Sequence, residues 1–427
     1  MKIVAGGIPL GDDFYKGRQA CVDQLRKMID QAGNILVLGP RRTGKTSSIQ
    51  EYLRQNSGNE DFKFVFIDLE NTQNLYEFYI RLIKDILQAA NKYHALLDNV
   101  LDRIKQTASN IGKSTKLDID LAPFLGSPTE VKLTVQWPDF DPKKVEALQT
   151  ELRTLIASLK SPIIIVLDEF PELIWRFGQS LTGEDRRNEM IQKTNFLLSG
   201  LRMIRQEDFG LGKKHQIIVA GSINLHNTLK HLGLDASIND LERIEIPYLT
   251  SDQSADLIRQ LVQPEEITFQ NEKGFYSFIK QQFGSCSPFY IQAFANALRQ
   301  KMLDKIGESN FSDEEIQNAY KTLLTEPRGP EYFVTRIERF YLKEKDLVFK
   351  ILEKTASFQF NNKVGIGESD LKNALGISSQ QHFTDIMAKM ISDDMIQHQD
   401  GGSKIGFQSQ FLCNFWNYRI VDGRYFI

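Results

Sequence analysis

Eight consecutive residues, Gly39 to Thr46, have types and a spacing that suit nucleotide binding. The segment GPRRTGKT matches the pattern G-x-x-x-x-G-K-[ST], follows the apolar run NILVL and precedes a helical pattern. Its glycines allow the backbone N–H groups and the next helix N-terminus to face phosphate oxygens. We expect Lys45 to neutralise the β- and γ-phosphates and the Thr46 hydroxyl to ligate Mg²⁺. The pattern predicts a P-loop for ATP and Mg²⁺, with contacts from Gly39, Pro40, Arg41, Arg42, Thr43, Gly44, Lys45, Thr46 and Ser47.

Two adjacent carboxylates follow the most apolar run of the chain. Asp168 and Glu169 end the segment IIIVLDE, where two buried charges are costly unless they serve a function. The P-loop suggests that function, because Asp168 is predicted to hold Mg²⁺ together with Thr46, and Glu169 to act as the general base toward water. A helix-capping pair at the strand end is the alternative. The predicted catalytic residues are therefore Lys45, Asp168 and Glu169.

Other polar residues are weaker candidates for the same site. Ser222 and Asn224 follow the apolar run QIIVAG, at a position suited to a side chain that senses the γ-phosphate. Arg202, Arg205 and Arg243 are candidates for stabilising the transition state, although a solvated arginine is the more frequent outcome. The sequence does not favour one of these arginines over the others.

The elements around these residues indicate an α/β fold. Short apolar runs at 34–38, 62–70, 163–169 and 216–222 alternate with helical patterns. Continuous apolar runs of this length are typical of parallel strands buried on both faces. The sequence therefore predicts a doubly wound parallel sheet, the core of a P-loop NTPase.

Changes in pattern divide the chain into three predicted units. Residues 1–249 form the ATPase core, with a β-hairpin insertion at about 105–145 where polar and apolar residues alternate. Residues 250–326 are predicted to form a helical lid. Residues 327–427 contain three helical patterns and then a hairpin, which predicts a C-terminal winged helix-turn-helix.

Bulk composition limits the classes of partner and compartment. The chain has 427 residues, a net charge of -3 and a pI near 6.2, so no global attraction to nucleic acid or to an anionic membrane is expected. Its three cysteines have no C-x-x-C spacing, and neither a signal peptide nor a membrane-spanning run is recognisable. These observations predict a cytoplasmic protein without a membrane partner.

The sequence resembles the STAND and archaeal-type ATPase group within the AAA-related P-loop ATPases. The resemblance covers about the first three quarters of the chain, and a winged helix is the usual following module in that group. Four segments carry it: FYKGRQ (14–19), GPRRTGKT (39–46), IIIVLDEFPEL (163–173) and GSCSPFY (284–290).

The resemblance implies two further nucleotide-binding residues and a mode of action. Arg18 would help to close the nucleotide pocket, and Pro288 would approach the nucleotide from the lid. The chain departs from the group at Gln19, where Glu is usual, and it has no clear sensor-2 arginine in its lid. The missing arginine favours a slow switch over a fast motor. The resemblance also favours ATP over GTP as the nucleotide.

The leading hypothesis is an ATP-hydrolysing molecular switch. It would regulate a separately encoded protein partner or effector, or its own nucleotide-dependent assembly into an oligomer. Prokaryotic defence or signalling is a possible setting for such a switch. A DNA-associated ATPase of replication, transposition or plasmid maintenance is the alternative, and a P-loop kinase is a weaker third. DNA is not favoured, because the predicted recognition helix is acidic in balance and phosphates would repel it. Its charged residues are His382, Asp385, Lys389, Asp393 and Asp394.

Overall fold

The structure is a computed structural model. It describes residues 1–4, 7–59, 61–90, 115–120, 132–137, 140–178, 183–206, 214–221, 224–304, 309–325, 334–335, 337–338, 341 and 344–421.

A five-stranded parallel sheet forms the centre of the N-terminal half, in the order β2-β5-β6-β1-β7. This arrangement confirms the predicted α/β fold of a P-loop NTPase. Four of the strands were predicted, and β7 at the edge was not. The strands are β1 (Ile35–Leu38), β2 (Lys63–Asp68), β5 (Ile163–Asp168), β6 (Gln216–Gly221) and β7 (Glu242–Glu245).

Helices cover both faces of this sheet. Side chains that alternate along β1 enter two different hydrophobic clusters: Leu36 and Leu38 belong to one, and Ile35 and Val37 to the other. Because both faces are buried, the central strands are apolar at every position, as expected for parallel strands. The helices of this half are α1 (Gln19–Asp30), α2 (Lys45–Gln55), α3 (Leu75–Ala89), α4 (Pro142–Ala157), α5 (Phe170–Arg176), α6 (Gly183–Gln206) and α7 (Asn224–Leu232).

Two strands lie within the segment predicted as a hairpin insertion. β3 (Thr115–Asp120) and β4 (Lys132–Trp137) pair antiparallel, with Thr115 opposite Trp137 and Asp120 opposite Lys132. They form a two-stranded sheet separate from the central one.

The second half of the chain is mainly helical and shares one hydrophobic core. Phe283, Tyr290 and Tyr320, from the predicted lid, pack around Phe411, which is fully buried. The lid elements are α8 (Ser251–Val262), β8 (Thr268–Phe269), α9 (Glu272–Gln282), α10 (Pro288–Asp304), β9 (Asn310–Phe311) and α11 (Asp313–Thr325).

The C-terminal elements follow the order helix, strand, helix, helix, hairpin, helix. The hairpin turns at Gly401 and Gly402, which both have positive φ, and its strands join a three-stranded sheet. This order is compatible with a winged helix-turn-helix, which stays a prediction. The elements are α12 (Lys345–Asn362), β10 (Ile366–Gly367), α13 (Glu368–Ala374), α14 (Gln380–Ser392), β11 (Gln397–Gln399), β12 (Lys404–Gly406) and α15 (Gln410–Val421). Among the described helices of the whole chain, none has the length and apolarity that crossing a membrane requires.

Candidate functional site

The predicted P-loop connects β1 to α2 at the carboxyl edge of the central sheet. Gly39 lies against the backbone that follows β7, and a Cβ atom there would be 2.3 Å from the Ile246 carbonyl oxygen. Gly44 has φ of 97° and precedes the first residue of α2. Only glycine suits both positions without strain, one for close backbone approach and one for its dihedral angle. The two glycines therefore allow the tight backbone path of the loop, in which its N–H groups can face a phosphate.

Lys45 is buried and is held across the loop. Its ammonium donates hydrogen bonds to the carbonyl oxygens of Gly39 (3.0 Å) and Pro40 (2.9 Å). The Thr43 hydroxyl donates to the same Pro40 oxygen at 2.8 Å. These bonds place a positive charge inside the loop, where phosphate oxygens could replace the carbonyl partners.

Thr46 and Asp168 meet directly between α2 and the end of β5. The Thr46 hydroxyl donates a 2.6 Å hydrogen bond to Oδ2 of Asp168, and the Glu169 N–H donates to Oδ1 at 3.0 Å. Asp168 is 3% exposed, and burial raises the pKa of its carboxyl to about 6, although the hydrogen bond from Thr46 opposes this rise.

These two side chains fit a hard cation. A hydroxyl and a carboxylate are oxygen ligands of the kind that Mg²⁺ prefers, and a cation would offset the cost of ionising a buried Asp168. Mg²⁺ usually keeps several waters and takes few protein ligands beside the phosphates. Thr46 and Asp168 therefore fit Mg²⁺ chemically, and their binding of the ion stays a prediction.

Glu169 has an unusual backbone conformation at the start of α5. Its φ of 52° lies in the left-handed region, which non-glycine residues seldom adopt. Its carboxylate accepts a hydrogen bond of 3.4 Å from Nη2 of Arg41, and the same nitrogen donates to Glu172 at 2.9 Å. The P-loop pattern predicts that Arg41 contacts the nucleotide, and it gives no role to Glu172. Glu172 lies three residues after Glu169, and its N–H donates a hydrogen bond of 3.0 Å to the Glu169 carbonyl oxygen. Its place near Glu169, although not its pairing with Arg41, was therefore visible in the spacing.

Arg18 lies where the core meets the lid. It is buried, and its Nη2 donates a 2.5 Å hydrogen bond to the Pro247 carbonyl oxygen. Burial lowers the pKa of its guanidinium, an effect that the nearby Cys21 opposes. Within the described part of the chain its Nε finds no hydrogen-bond acceptor. The structure thus ties Arg18 to the segment after β7, and its contact with a nucleotide stays a prediction.

The lid touches the P-loop on both sides of Pro288. The Ser287 hydroxyl donates a hydrogen bond to the carbonyl oxygen of Arg42, and the Arg42 guanidinium carbon lies 3.9 Å from the centre of the Phe289 ring. Burial raises the pKa of Tyr290, and the nearby charge of Arg42 opposes that rise. Pro288 itself begins α10. The residues on either side of Pro288 therefore contact Arg42 of the P-loop, and the contact of Pro288 with a nucleotide stays a prediction.

Of the remaining candidates, Arg202 and Arg205 contact residues away from the P-loop. Ser222 and the side chain of Asn224 lie outside the described residues. Arg205 forms a bidentate ion pair with Asp240, at 3.0 and 2.9 Å, and donates to the Ser237 carbonyl oxygen. Arg202 bonds Gln206 one turn along its own helix. Arg205 is thus occupied in holding the loop before β7.

Comparison with known proteins agrees with this geometry. Residues 27–229 match the family described as "AAA domain", a range that includes the P-loop, β5 and β6. These residues form an AAA-type P-loop ATPase domain. No curated protein matches the chain.

Two solved structures resemble the chain over nearly its whole length. The Walker-type ATPase PABY2304 of Pyrococcus abyssi superposes with a TM-score of 0.59 and 12% identity, covering 97% of this chain and 99% of that one. The Aeropyrum pernix ORC2 protein, in ADPNP–ADP complexes, gives 0.58 and 11%, covering 99% and 97%. Likeness at such low identity shows the fold.

Proposed function

We propose that the protein is a Mg²⁺-dependent ATP-hydrolysing molecular switch. Lys45 would neutralise the β- and γ-phosphates, while Thr46 and Asp168 would hold the ion. Mg²⁺, when bound, neutralises charge that develops on the phosphate oxygens. Glu169 accepts a proton from the attacking water while the water oxygen bonds to the γ-phosphorus. The bond between the γ-phosphorus and the bridging oxygen breaks, and ADP leaves with the electron pair.

The observation that carries the switch hypothesis is a chain of contacts from the P-loop to the C-terminal helix. Arg42 contacts Ser287 and Phe289 at the start of α10. The next residue, Tyr290, packs on Phe411 of α15 with ring centroids 4.4 Å apart. A change in the P-loop backbone between nucleotide states would therefore act on the lid and on the C-terminal helices together.

A second contact joins the C-terminal elements to the ATPase core. The predicted recognition helix α14 packs against α7, the helix that begins shortly after β6. The segment between β6 and α7 contains Ser222, the candidate sensor of the γ-phosphate. We infer that γ-phosphate release is communicated along this second route to the C-terminal elements, which would then present a different surface to a separately encoded protein partner or to a second copy of the chain.

One buried residue changes the expected surface charge of the predicted recognition helix. Asp393 is buried and accepts a 2.7 Å hydrogen bond from the Tyr341 hydroxyl, so it does not belong to the exposed surface of the predicted recognition helix. The helix itself ends at Ser392. On α14 this leaves Asp385 and Lys389 as opposite charges beside His382. The surface is near neutral, so a DNA-associated ATPase stays the second candidate, supported by the order of the C-terminal elements.

Two substitutions test the site. Lys45→Ala should lose ATP binding, whereas Glu169→Gln should retain ATP and hydrolyse it about 100-fold more slowly or worse. Lys27→Ala and Glu146→Gln, both exposed on helices, are matched controls that should hydrolyse normally. ATP hydrolysis at the parent rate in both site variants would contradict the assignment of Lys45 and Glu169 to the ATPase site.

The switch is tested with Glu169→Gln, which should trap the ATP state. Limited proteolysis should cut the C-terminal elements at different rates with ATP and with ADP. Identical digestion patterns in the two states would exclude the switch. Salt-sensitive DNA binding that requires ATP would instead promote the second candidate, and no binding at low salt would remove it.

A further inference from the structure

One side chain of the P-loop and two that follow β5 form a group that the proposed mechanism does not use in full. Nη2 of Arg41 lies 2.9 Å from the Glu172 carboxylate and 3.4 Å from the Glu169 carboxylate. The exposed fractions of the side chains are 11% for Arg41, 7% for Glu172 and 23% for Glu169. One guanidinium therefore bridges a buried carboxylate and the predicted general base.

The distances and burial assign different roles to the two carboxylates. Glu172 is the more deeply buried and the closer partner, and a charge-assisted hydrogen bond of this length is strong where water is scarce. It therefore fixes the position of the Arg41 side chain. Glu169, which is more exposed and more distant from Arg41, is restrained by the guanidinium without being fully neutralised by it.

The backbone places Glu169 where such a restraint matters. Glu169 lies immediately before α5 with a left-handed φ, and its N–H donates a hydrogen bond to the Asp168 carboxylate. The backbone is thus fixed, while the orientation of the side chain is set by its own rotamers and by Arg41. Arg41 makes both contacts through one nitrogen, Nη2, whose two N–H bonds are held in fixed directions by the planar guanidinium. The donors of a lysine ammonium rotate on a flexible stem, so lysine would hold the two carboxylates less firmly.

We propose that Arg41 and Glu172 are positioning residues for Glu169: Glu172 holds Arg41, and Arg41 holds the carboxylate of Glu169 in line with the attacking water. The inference rests on the proposed function, because it presupposes that Glu169 is the general base. It differs from the sequence-based prediction that Arg41 is chiefly a nucleotide contact. A nucleotide contact acts on ATP affinity, whereas a positioning pair acts on the rate of the chemical step.

The experiment measures steady-state ATP hydrolysis by the full-length protein. Glu172→Gln keeps the shape of the side chain and removes the charge that holds Arg41. It should lower kcat by about 10- to 100-fold, as misplacing a catalytic group does, while KM stays within about threefold. Arg41→Lys should behave similarly, because its charge remains beside Glu172 but its rotating donors no longer hold the Glu169 carboxylate in one direction.

A matched control separates positioning from loss of a buried ion pair. Asp240→Asn also changes a carboxylate to an amide and removes the partner of a buried arginine, Arg205, away from Glu169. Its kcat should stay within about twofold of the parent. In a Glu169→Gln background, adding Glu172→Gln should cost no further activity, because the group that it positions is already gone.

Each outcome decides the inference. An unchanged kcat in Glu172→Gln, a raised KM with unchanged kcat, or an additive loss in the double variant would overturn it. If Glu172→Gln does not fold, Arg41→Lys provides the same test, and parent-like kcat there overturns the proposal. Failure of the proposed function looks different, since Glu169→Gln alone would then hydrolyse ATP at the parent rate.

Discussion

Arg41 and Arg42 are neighbours in the P-loop, but they serve two regions of the molecule. Arg41 lies on the sheet side, where it contacts Glu169 and Glu172 at the end of β5. Arg42 lies on the lid side, where it contacts Ser287 and Phe289 at the start of α10. The sheet side is built from charges that can act on water and phosphate, and the lid side from aromatic packing that continues into the C-terminal helices. Consecutive residues thus separate the predicted chemistry from its predicted communication.

Backbone conformation marks the same division. Arg42 has φ of 64° and Glu169 has φ of 52°, both in the left-handed region. Such conformations cost energy and persist where surrounding contacts hold them, which is frequent at ligand sites and switch regions. The lid holds Arg42 through its carbonyl group, and β5 with α5 holds Glu169. Each region therefore supports one strained residue at the P-loop.

The largest predicted effect is a loss of stability in Phe411→Ala, which tests whether the lid and the C-terminal helices share one core. Phe411 is fully buried among Phe283, Tyr290 and Tyr320, so Phe411→Ala should lower the free energy of unfolding by about 3–5 kcal/mol. Urea unfolding measures the change. Phe360→Ala is the matched control, since Phe360 is 40% exposed and should lose far less. Equal losses in the two variants would contradict a core shared by the lid and the C-terminal helices.

The sequence predicted the sheet side better than the lid side, for reasons visible in particular residues. β5 is apolar from Ile163 to Leu167 and ends in two carboxylates, so both its burial and its chemistry show in the sequence. β7 was missed because its four residues include three charged ones and only Ile244 is buried. Edge strands need only one apolar face, and four residues are too few to show that pattern.

Contacts between distant segments were beyond the sequence. The arginine that meets the lid lies in the P-loop itself, whereas sequence analysis sought an arginine in the lid. Glu172 and Arg41 are 131 residues apart, and nothing local to either residue announces the pair. The aromatic residues around Phe411 come from separate lid segments, and each could equally have packed within its own helix pair. Such pairings depend on how helices dock, which residue types and spacing alone do not specify.

On the sheet side, a buried histidine lies at the start of β5, at the opposite end of the strand from Asp168. His215 is buried, and its Nδ1 accepts a hydrogen bond of 3.1 Å from the N–H of Ile163, the first residue of β5. Burial lowers the pKa of His215 to about 4, so the folded state favours the neutral ring. Between about pH 4 and 6.5 the unfolded chain binds more protons than the folded one, so stability present above pH 6.5 is lost as pH falls through this window.

The expected loss from His215 is about 2–3 kcal/mol. Urea unfolding at pH 4.5 and 7.5 isolates it as the difference between parent and variant: His215→Gln, which can still accept the hydrogen bond but does not titrate, should lose about 2–3 kcal/mol less than the parent as the pH falls. Asp168 works in the opposite direction, because its raised pKa favours the folded state at the acid end of the same window. An undiminished difference in His215→Gln would assign the pH dependence to other groups.

The smallest predicted effect lies where the two regions meet. Phe289→Ala removes the ring that lies 3.9 Å from the Arg42 guanidinium, and a cation–π contact of this kind is worth about 0.5–2 kcal/mol. The substitution leaves the P-loop sequence and the sheet side unchanged. We therefore expect the difference in protease sensitivity between the ATP and ADP states to shrink by about fivefold, while kcat for ATP stays within about threefold. Phe289→Tyr keeps an aromatic face beside Arg42 and should restore the difference. If Phe289→Ala instead lowers kcat as Glu172→Gln is expected to do, the lid side takes part in the chemistry and the division between Arg41 and Arg42 is wrong.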